Sequence, residues 1–285
     1  MKVTVHAPAK LNLTLDVVGT RPDGYHLLES LMQTVDITDT LTAQTAENIR
    51  LDAPGLCPPE KNTAYRAAQA FFAHTGMAGG VYMTLQKRIP TKAGMGGGSA
   101  DAAAVLWALD RLYNTHLSVE ELCRIGLMVG ADVPFCVQGG AAYVTGIGEE
   151  LRPLPCLPAC SFVVAQPPEG VSTAAAYAAI DSHPLLRRPD HTRAIPAWEQ
   201  GDLPAVCQQV CNVFELATAL PGVKAIREIM ETYAPLASQM TGSGSAVFAV
   251  FTDPAAADAC RQALAKRFPV ALLCRPCDGC RIEIE

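Results

Sequence analysis

The residues Pro90-Thr91-Lys92-Ala93-Gly94-Met95-Gly96-Gly97-Gly98-Ser99-Ala100-Asp101 place four glycines and a serine directly ahead of an alanine- and leucine-rich segment. Glycines let successive backbone N–H groups turn toward one point, and a helix behind them adds unpaired donors and the positive end of its dipole. Such a loop suits a polyphosphate; a tight turn with no ligand is the other reading of the same residues. It lacks the Gly-Lys-Ser/Thr of a Walker A loop, and Ser99 stands where G-x-G-x-x-G needs its last glycine. A second cluster, Met240-Thr241-Gly242-Ser243-Gly244-Ser245-Ala246, reads as a plain hairpin or loop, the alternative being a loop that closes over phosphate or substrate. Lys10, Asn12 and Asp132 are polar residues in apolar surroundings. Singly, each is the solvated or salt-bridged side chain that such positions commonly hold. Together they fit phosphoryl transfer: a carboxylate takes the proton of an attacking hydroxyl, while a lysine keeps that carboxylate ionised and neutralises charge on the transferred group.

These residues need elements to hold them. Val3, Val5, Ala7, Ala9, Leu11, Leu13, Leu15 and Val17 alternate with polar residues, the period of a half-buried strand or strand pair on which Lys10 and Asn12 share a face. Pro8 predicts a break or an edge there. Arg21-Pro22-Asp23-Gly24 is a turn signal leading to Tyr25-His26. A helix is predicted over 63–74, stopped by Gly76, then a strand over 81–85 with Ile89 that feeds the glycine loop. A strong helix over 100–112 follows, and Ser118-Val119-Glu120-Glu121 is a capping box opening another that ends by Gly130, just before Asp132. A strand is predicted over 141–144, with Gly146 and Gly148 closing the unit. The proline-rich stretch 153–168 places a domain boundary near Pro155, giving segments 1–155 and 156–285. Beyond it the pattern predicts helices over 173–180, 203–215, 223–233 and 255–268, with strands over 162–165, 246–251, 270–274 and 281–284, an α/β sandwich of modest size.

At 285 residues, 49% hydrophobic and 18% charged, the chain is too apolar for disorder and long enough for two domains. Its 22 basic against 28 acidic residues, a net charge of −6, leave no phosphate-neutralising surface for nucleic acid. The longest uncharged run, 232–252, is broken by Pro235 and the Gly242–Ser245 cluster, so no membrane span is expected. An odd 11 cysteines, irregularly spread, and a start without a long apolar stretch point to a reducing cytoplasm.

Pro8-Ala9-Lys10-Leu11-Asn12-Leu13, the loop 90–99, Gly130-Ala131-Asp132-Val133-Pro134-Phe135 and Thr241-Gly242-Ser243-Gly244-Ser245 stand in the order and spacing of the GHMP kinase superfamily, which the chain resembles from Met1 to about Phe251. Arg21-Pro22-Asp23-Gly24-Tyr25-His26 and Gly146-Ile147-Gly148-Glu149 narrow the resemblance to the branch acting on a cytidine-diphosphate-linked methylerythritol in non-mevalonate isoprenoid synthesis. The resemblance implies an α+β, two-domain GHMP kinase fold, with a ribosomal protein S5 domain 2-like N-terminal domain and a ferredoxin-like α/β sandwich at the C-terminus. It implies a kinase using ATP and Mg²⁺, with Asp132 as base, Lys10 as its charge partner and Asn12 orienting the acceptor. Pro90, Thr91, Lys92, Ala93, Gly94, Met95, Gly96, Gly97, Gly98, Ser99 and Ala100, with Lys87 and Asn62, would hold the nucleotide, and the Ser99 hydroxyl is the natural metal ligand. Tyr25, His26 and Tyr177 would clamp and read the cytosine, a flat base wanting π-faces and hydrogen bonds at once. Thr173, one helical turn before Tyr177, and Gly242, Ser243 and Gly244 would also meet the acceptor.

Relatives acting on homoserine or mevalonate fit Tyr25-His26 poorly, because neither acceptor carries a base to stack. A non-catalytic nucleotide-binding relative is at odds with retention of Lys10, Asp132 and the whole loop, and a dinucleotide oxidoreductase fails on the loop pattern. Val213 replaces a commoner acidic residue after Asn212, leaving the role of Asn212 open, and Met95 replaces a leucine at similar volume. Cys274, Cys277 and Cys280 form C-x₂-C-x₂-C, a spacing that can bind zinc but shows no evident fourth ligand; reduced thiols near a terminal hairpin are expected instead. The expected partner is a small molecule, with neither nucleic acid nor membrane, acting on a monomer or weak homodimer.

Overall fold

The computed structural model describes residues 1–55, 57–182, 187–218 and 220–285. Two long strands, β1 (Lys2–Thr20) and β2 (His26–Ala46), pair antiparallel through the Arg21–Gly24 turn, where the Gly24 N–H donates to Arg21 O at 2.9 Å. There follow β3 (Arg50–Asp52), α1 (Thr63–Thr75), β4 (Gly80–Gln86), α2 (Gly97–Tyr113), α3 (Val119–Leu127), α4 (Val133–Gln138), β5 (Ala141–Thr145) and β6 (Glu150–Leu154). The remainder supplies β7 (Ser161–Gln166), α5 (Thr173–Ser182), α6 (His191–Glu199), α7 (Leu203–Gln208), β8 (Cys211–Asn212), α8 (Val213–Thr218) and α9 (Pro221–Glu231). It closes with β9 (Ala237–Met240), β10 (Val247–Phe251), α10 (Pro254–Ala265), β11 (Val270–Cys274) and β12 (Arg281–Ile284).

One sheet runs β12-β1-β2-β4-β3, with β5 continuing from β2 to β6 and β8 lying parallel to β1; the other runs β11-β7-β10-β9. Strands β8 and β12, from the 156–285 segment, thus lie in the first sheet, both against β1. The two central strands of the second sheet, β7 and β10, are buried on both faces, which is why they read as nearly unbroken apolar runs. Phe162, Val164, Phe248 and Val250 join the core beneath α1 and α2, whereas Val163, Ala165, Val247 and Ala249 join a second core with residues of α5, α8, α9 and α10.

Local signals account for several boundaries. Asn62 caps α1, accepting from the Ala64 N–H, and Gly76 ends it at φ 65°; Ser118 and Glu121 form the reciprocal capping box of α3.

Four expectations need correction. Pro8 does not break β1 but marks a register shift against β2, so the strand continues. A second shift between Asn12 and Thr14 makes the alternation slip, so that Leu15 lines the same cavity as Lys10 and Asn12. The helix expected over 203–215 is split into α7, β8 and α8, because the Asn212 Oδ1 accepts from the Phe214 N–H and starts a new helix. The expected terminal hairpin does not form, since β11 and β12 belong to different sheets and 275–280 crosses between them. Along that crossover the Cys277 N–H donates to Thr34 O, and the Cys280 thiol to Cys136 O.

Candidate active site

Lys10 and Asn12 face one another across two residues of β1, 3% and 1% exposed. The Lys10 ammonium donates to Asn12 Oδ1 at 2.5 Å and lies 3.5 Å from Asp132 Oδ2. Asp132 occupies the N-cap position of α4, yet its carboxylate makes no capping bond, which leaves it available to Lys10 and to an acceptor hydroxyl. That short helix was not legible in the sequence.

The glycine loop is tied to the same strand: the Lys10 N–H donates to Met95 O at 3.0 Å. Gly96, in the left-handed region at φ 71°, is the N-cap of the 17-residue α2 and supplies no side-chain cap, so the first amides of the helix keep unpaired donors. A Cβ on Gly96 would come within 2.9 Å of the Lys10 side chain. Helix α2 begins at Gly97 rather than at the expected Ala100, which puts Gly97, Gly98 and Ser99 in its first turn. Together these are the elements of an anion site. The loop is braced by residues that the sequence reading passed over: the Thr63 hydroxyl donates to Gly98 O at 2.6 Å, and the Gln166 amide donates to Thr91 O and Lys92 O.

Two cavities meet at this loop. One, of about 370 Å³, is lined by Asn62, Lys87 and the residues from Pro90 to Ser99, with Asp101. The other, of about 310 Å³, is lined by Lys10, Asn12, Asp132, Thr173, Tyr177 and the Gly242–Gly244 loop, among others. Lys92, Gly94 and Gly96 line both, so the loop is a wall one backbone thick.

Beside the first cavity, Lys87 is held by three acceptors, Asp39 Oδ2, Asp101 Oδ2 at 2.6 Å and Gly97 O at 3.3 Å. Asp39 is further fixed by the Arg88 and Ile89 N–H groups, whereas Asp101 Oδ1 is buried with no hydrogen-bond partner. Burial lifts the Asp101 carboxyl to about 7, the Lys87 ammonium opposing this and the Asp39 carboxylate adding to it. Neither aspartate announces itself in the sequence, because cross-element packing is what brings them onto Lys87.

In the second cavity the Thr173 and Ser243 hydroxyls are 3.1 Å apart. Tyr177 packs edge-on against Phe214, with ring centroids 4.9 Å apart, and burial pushes its phenol up to about 12, the Asp132 charge adding to the effect. His26 stacks on Tyr177 at 4.5 Å and its Nε2 lies 2.9 Å from Asp181 Oδ1. Tyr25 stands 60% exposed on its turn, and neither it nor His26 is among the residues lining either cavity. Asn212, whose role the sequence left open, is fully buried and donates from Nδ2 to Met240 O at 2.7 Å and Gly242 O at 2.8 Å, pinning the second glycine loop.

Comparison with known proteins fits this geometry. Residues 62–140 match the family model of the GHMP kinases N terminal domain, and residues 194–270 that of the GHMP kinases C terminal domain. A 4-diphosphocytidyl-2-C-methyl-D-erythritol kinase of Carboxydothermus hydrogenoformans is 42% identical over 251 residues, covering 86% of this chain and 87% of that protein. One of Exiguobacterium sibiricum is 43% identical over 256 residues, covering 88% and 89%. A crystal structure of 4-(cytidine 5'-diphospho)-2C-methyl-D-erythritol kinase superposes with a TM-score of 0.81 at 35% identity, covering 97% of this chain and all of that one. A homoserine kinase from Cytophaga hutchinsonii, 20% identical over 99% of this chain and 97% of its own, shares the fold with a TM-score of 0.78. With both family models matched and relatives above 40% identity along most of its length, the chain belongs to the GHMP kinase family, among its members named 4-diphosphocytidyl-2-C-methyl-D-erythritol kinase.

Proposed function

We propose that the chain transfers the γ-phosphoryl group of ATP to the 2-hydroxyl of 4-(cytidine 5'-diphospho)-2-C-methyl-D-erythritol, giving the 2-phosphate and ADP in non-mevalonate isoprenoid precursor synthesis. The observation that carries this is the shared wall: a glycine loop with free helix-end amides has a cavity on each side, and Lys10 and Asp132 stand in the second. A nucleotide in the first cavity and an alcohol in the second would meet at the edge where the two cavities share Gly94 and Gly96. Asp132 takes the hydroxyl proton as the new O–P bond forms and the bond to the ADP oxygen breaks. Lys10, fixed by Asn12, sits beside that carboxylate and offsets the charge spreading over the phosphoryl oxygens. Tyr177 and His26 offer π-faces to the cytosine, with Thr173 and Gly242 to Gly244 lining the approach. Tyr25 would have to swing in from its exposed turn to join them.

The first cavity fits Mg²⁺ chemistry, because it carries hard oxygen donors in the Ser99 hydroxyl and in Asp101, whose Oδ1 is buried without a donor. These two residues would hold the ion, which when bound neutralises phosphate charge. We further propose a cytoplasmic enzyme, monomeric or weakly dimeric, with no nucleic acid or membrane partner. Its nucleotide segment, 1–155, takes β8 and β12 back from the 156–285 segment. No helix of the described residues is long and apolar enough to cross a membrane.

The test is ATP-dependent turnover on the cytidylyl substrate, with phosphorus NMR locating the new phosphate. Turnover with homoserine or mevalonate and none with the cytidylyl compound would overturn the assignment. Asp132→Asn should lower kcat by about 10²–10⁴ while ATP still binds; wild-type turnover would remove Asp132 from the base role.

A further inference from the structure

Asn12 can serve Lys10 only with one end of its amide. Its oxygen accepts from the ammonium; turned over, the NH₂ would face a cation and both groups would lose a partner. What sets the orientation lies on the neighbouring strand. Ser30 of β2 is fully buried, and its hydroxyl donates to Thr14 O at 2.6 Å. With its proton committed there, the Ser30 oxygen can only accept, and it accepts from Asn12 Nδ2 at 2.8 Å. The Asn12 oxygen is left pointing at Lys10.

The register shift between Asn12 and Thr14 makes this contact possible. Asn12 is paired with Met32 and Leu15 with Ser30, so three residues of β1 span two of β2, and the diagonal from Asn12 to Ser30 shortens. Thr14, turned to the other side by the same shift, accepts from the Leu31 N–H at 2.8 Å and lies 2.9 Å from His191 Nε2, which fixes the backbone that Ser30 reads.

We propose that Ser30 is a positioning residue for phosphoryl transfer, locking the Asn12 amide so that its oxygen holds Lys10 beside Asp132. The inference rests on the assignment of Lys10 and Asp132 above. Ser30→Ala should lower kcat about tenfold, with the KM for ATP changed less than about twofold, because the loss is of one buried hydrogen bond away from the nucleotide. The decisive measurement is a double-mutant cycle. If Ser30 works through Asn12, Ser30→Ala adds less than a further twofold loss in an Asn12→Ala background. A full tenfold loss in that background, or unchanged kcat in the single variant, overturns the proposal. Where Ser30→Ala gives no cooperative melt, Ser30→Thr, which keeps the hydroxyl, is compared with Ser30→Cys. Turnover retained by Thr and lost by Cys supports the lock, and equal turnover overturns it. Asp132→Asn, run alongside, reports on the base assignment separately, since full activity there sinks that reading whatever the cycle gives.

Discussion

The two glycine loops look alike as sequence and differ in what their backbones are free to do. Gly94 to Gly98 open a 17-residue helix whose N-cap supplies no side chain, so amides point outward unpaired. Around Gly242 to Gly244 the flanking groups are tied down: Asn212 takes the Met240 and Gly242 carbonyls, the Glu215 carboxylate accepts from the Met240 N–H, and Ser245 and Ala246 donate to Lys92 O and Ala93 O. The first loop offers donors to a ligand, while the second is a brace that holds the first loop and presents its own surface to the acceptor cavity. Glycine serves donor exposure in one place and close backbone approach in the other.

The largest effect should come from the point where the loops interlock. Gly94 is at φ +75°, and a Cβ there would sit 2.1 Å from Thr241 O, a backbone atom that cannot step aside. Gly94→Ala is expected to cost about 3–5 kcal/mol of stability and at least about a hundredfold in kcat, read by thermal melts and steady-state kinetics. If the variant melts and turns over like the wild type, the loops are not mechanically joined.

A smaller loss is expected from the brace alone. Asn212→Ala strands two buried carbonyls and should cost about 2–4 kcal/mol, raising the KM for the acceptor several-fold more than that for ATP. An equal rise in both constants would mean that the second loop serves both cavities alike.

The last effect is on the pH dependence of stability and concerns only the first loop. The Asp101 carboxyl sits near 7 in the folded chain against 3.8 unfolded, so the folded state binds the extra proton between those values. That stabilisation is complete below about 4 and is lost as pH rises through about 7, with a slope of at most about 1.4 kcal/mol per pH unit. In denaturant titrations across this range, the difference between wild type and Asp101→Asn should therefore shift against the wild type as pH rises, and level off above about 8. A shift in the opposite direction would mean that the Lys87 ion pair outweighs burial.

What could be read in the sequence follows from how local its cause is. The stop at Gly76 and the capping box at Ser118 are decided within a few residues and were legible, whereas Asn62, expected as a nucleotide contact, caps α1. Lys10, Asn12 and Asp132 stood out because polar types are rare in apolar runs, and the structure brings them together. Strand β2 escaped notice because it has neighbours on both edges and polar residues on both faces: Ser30, Gln33, Thr34 and Asp39 are all buried. The slip at Leu13 and the return of β12 to β1 involve partners 18 to 277 positions away, through Ser30 and Ile282, and the Asn212 amide that starts α8 is itself held by Met240 O and Gly242 O. Thr63, Asp39, Asp101 and Ser30 are ordinary residues whose roles exist only once the register is set.

The thinness of the wall between the cavities bears on inhibitor design. Because Lys92, Gly94 and Gly96 face both sides, a bisubstrate ligand needs only a short tether to occupy the nucleotide and acceptor cavities at once. The second half then binds at an effective concentration in the millimolar range, and affinity rises without any new contact. A tether lying over Gly96 would meet hydrogen rather than a side chain, so mutational escape by enlarging that residue would push into Lys10 and cost the enzyme its own chemistry.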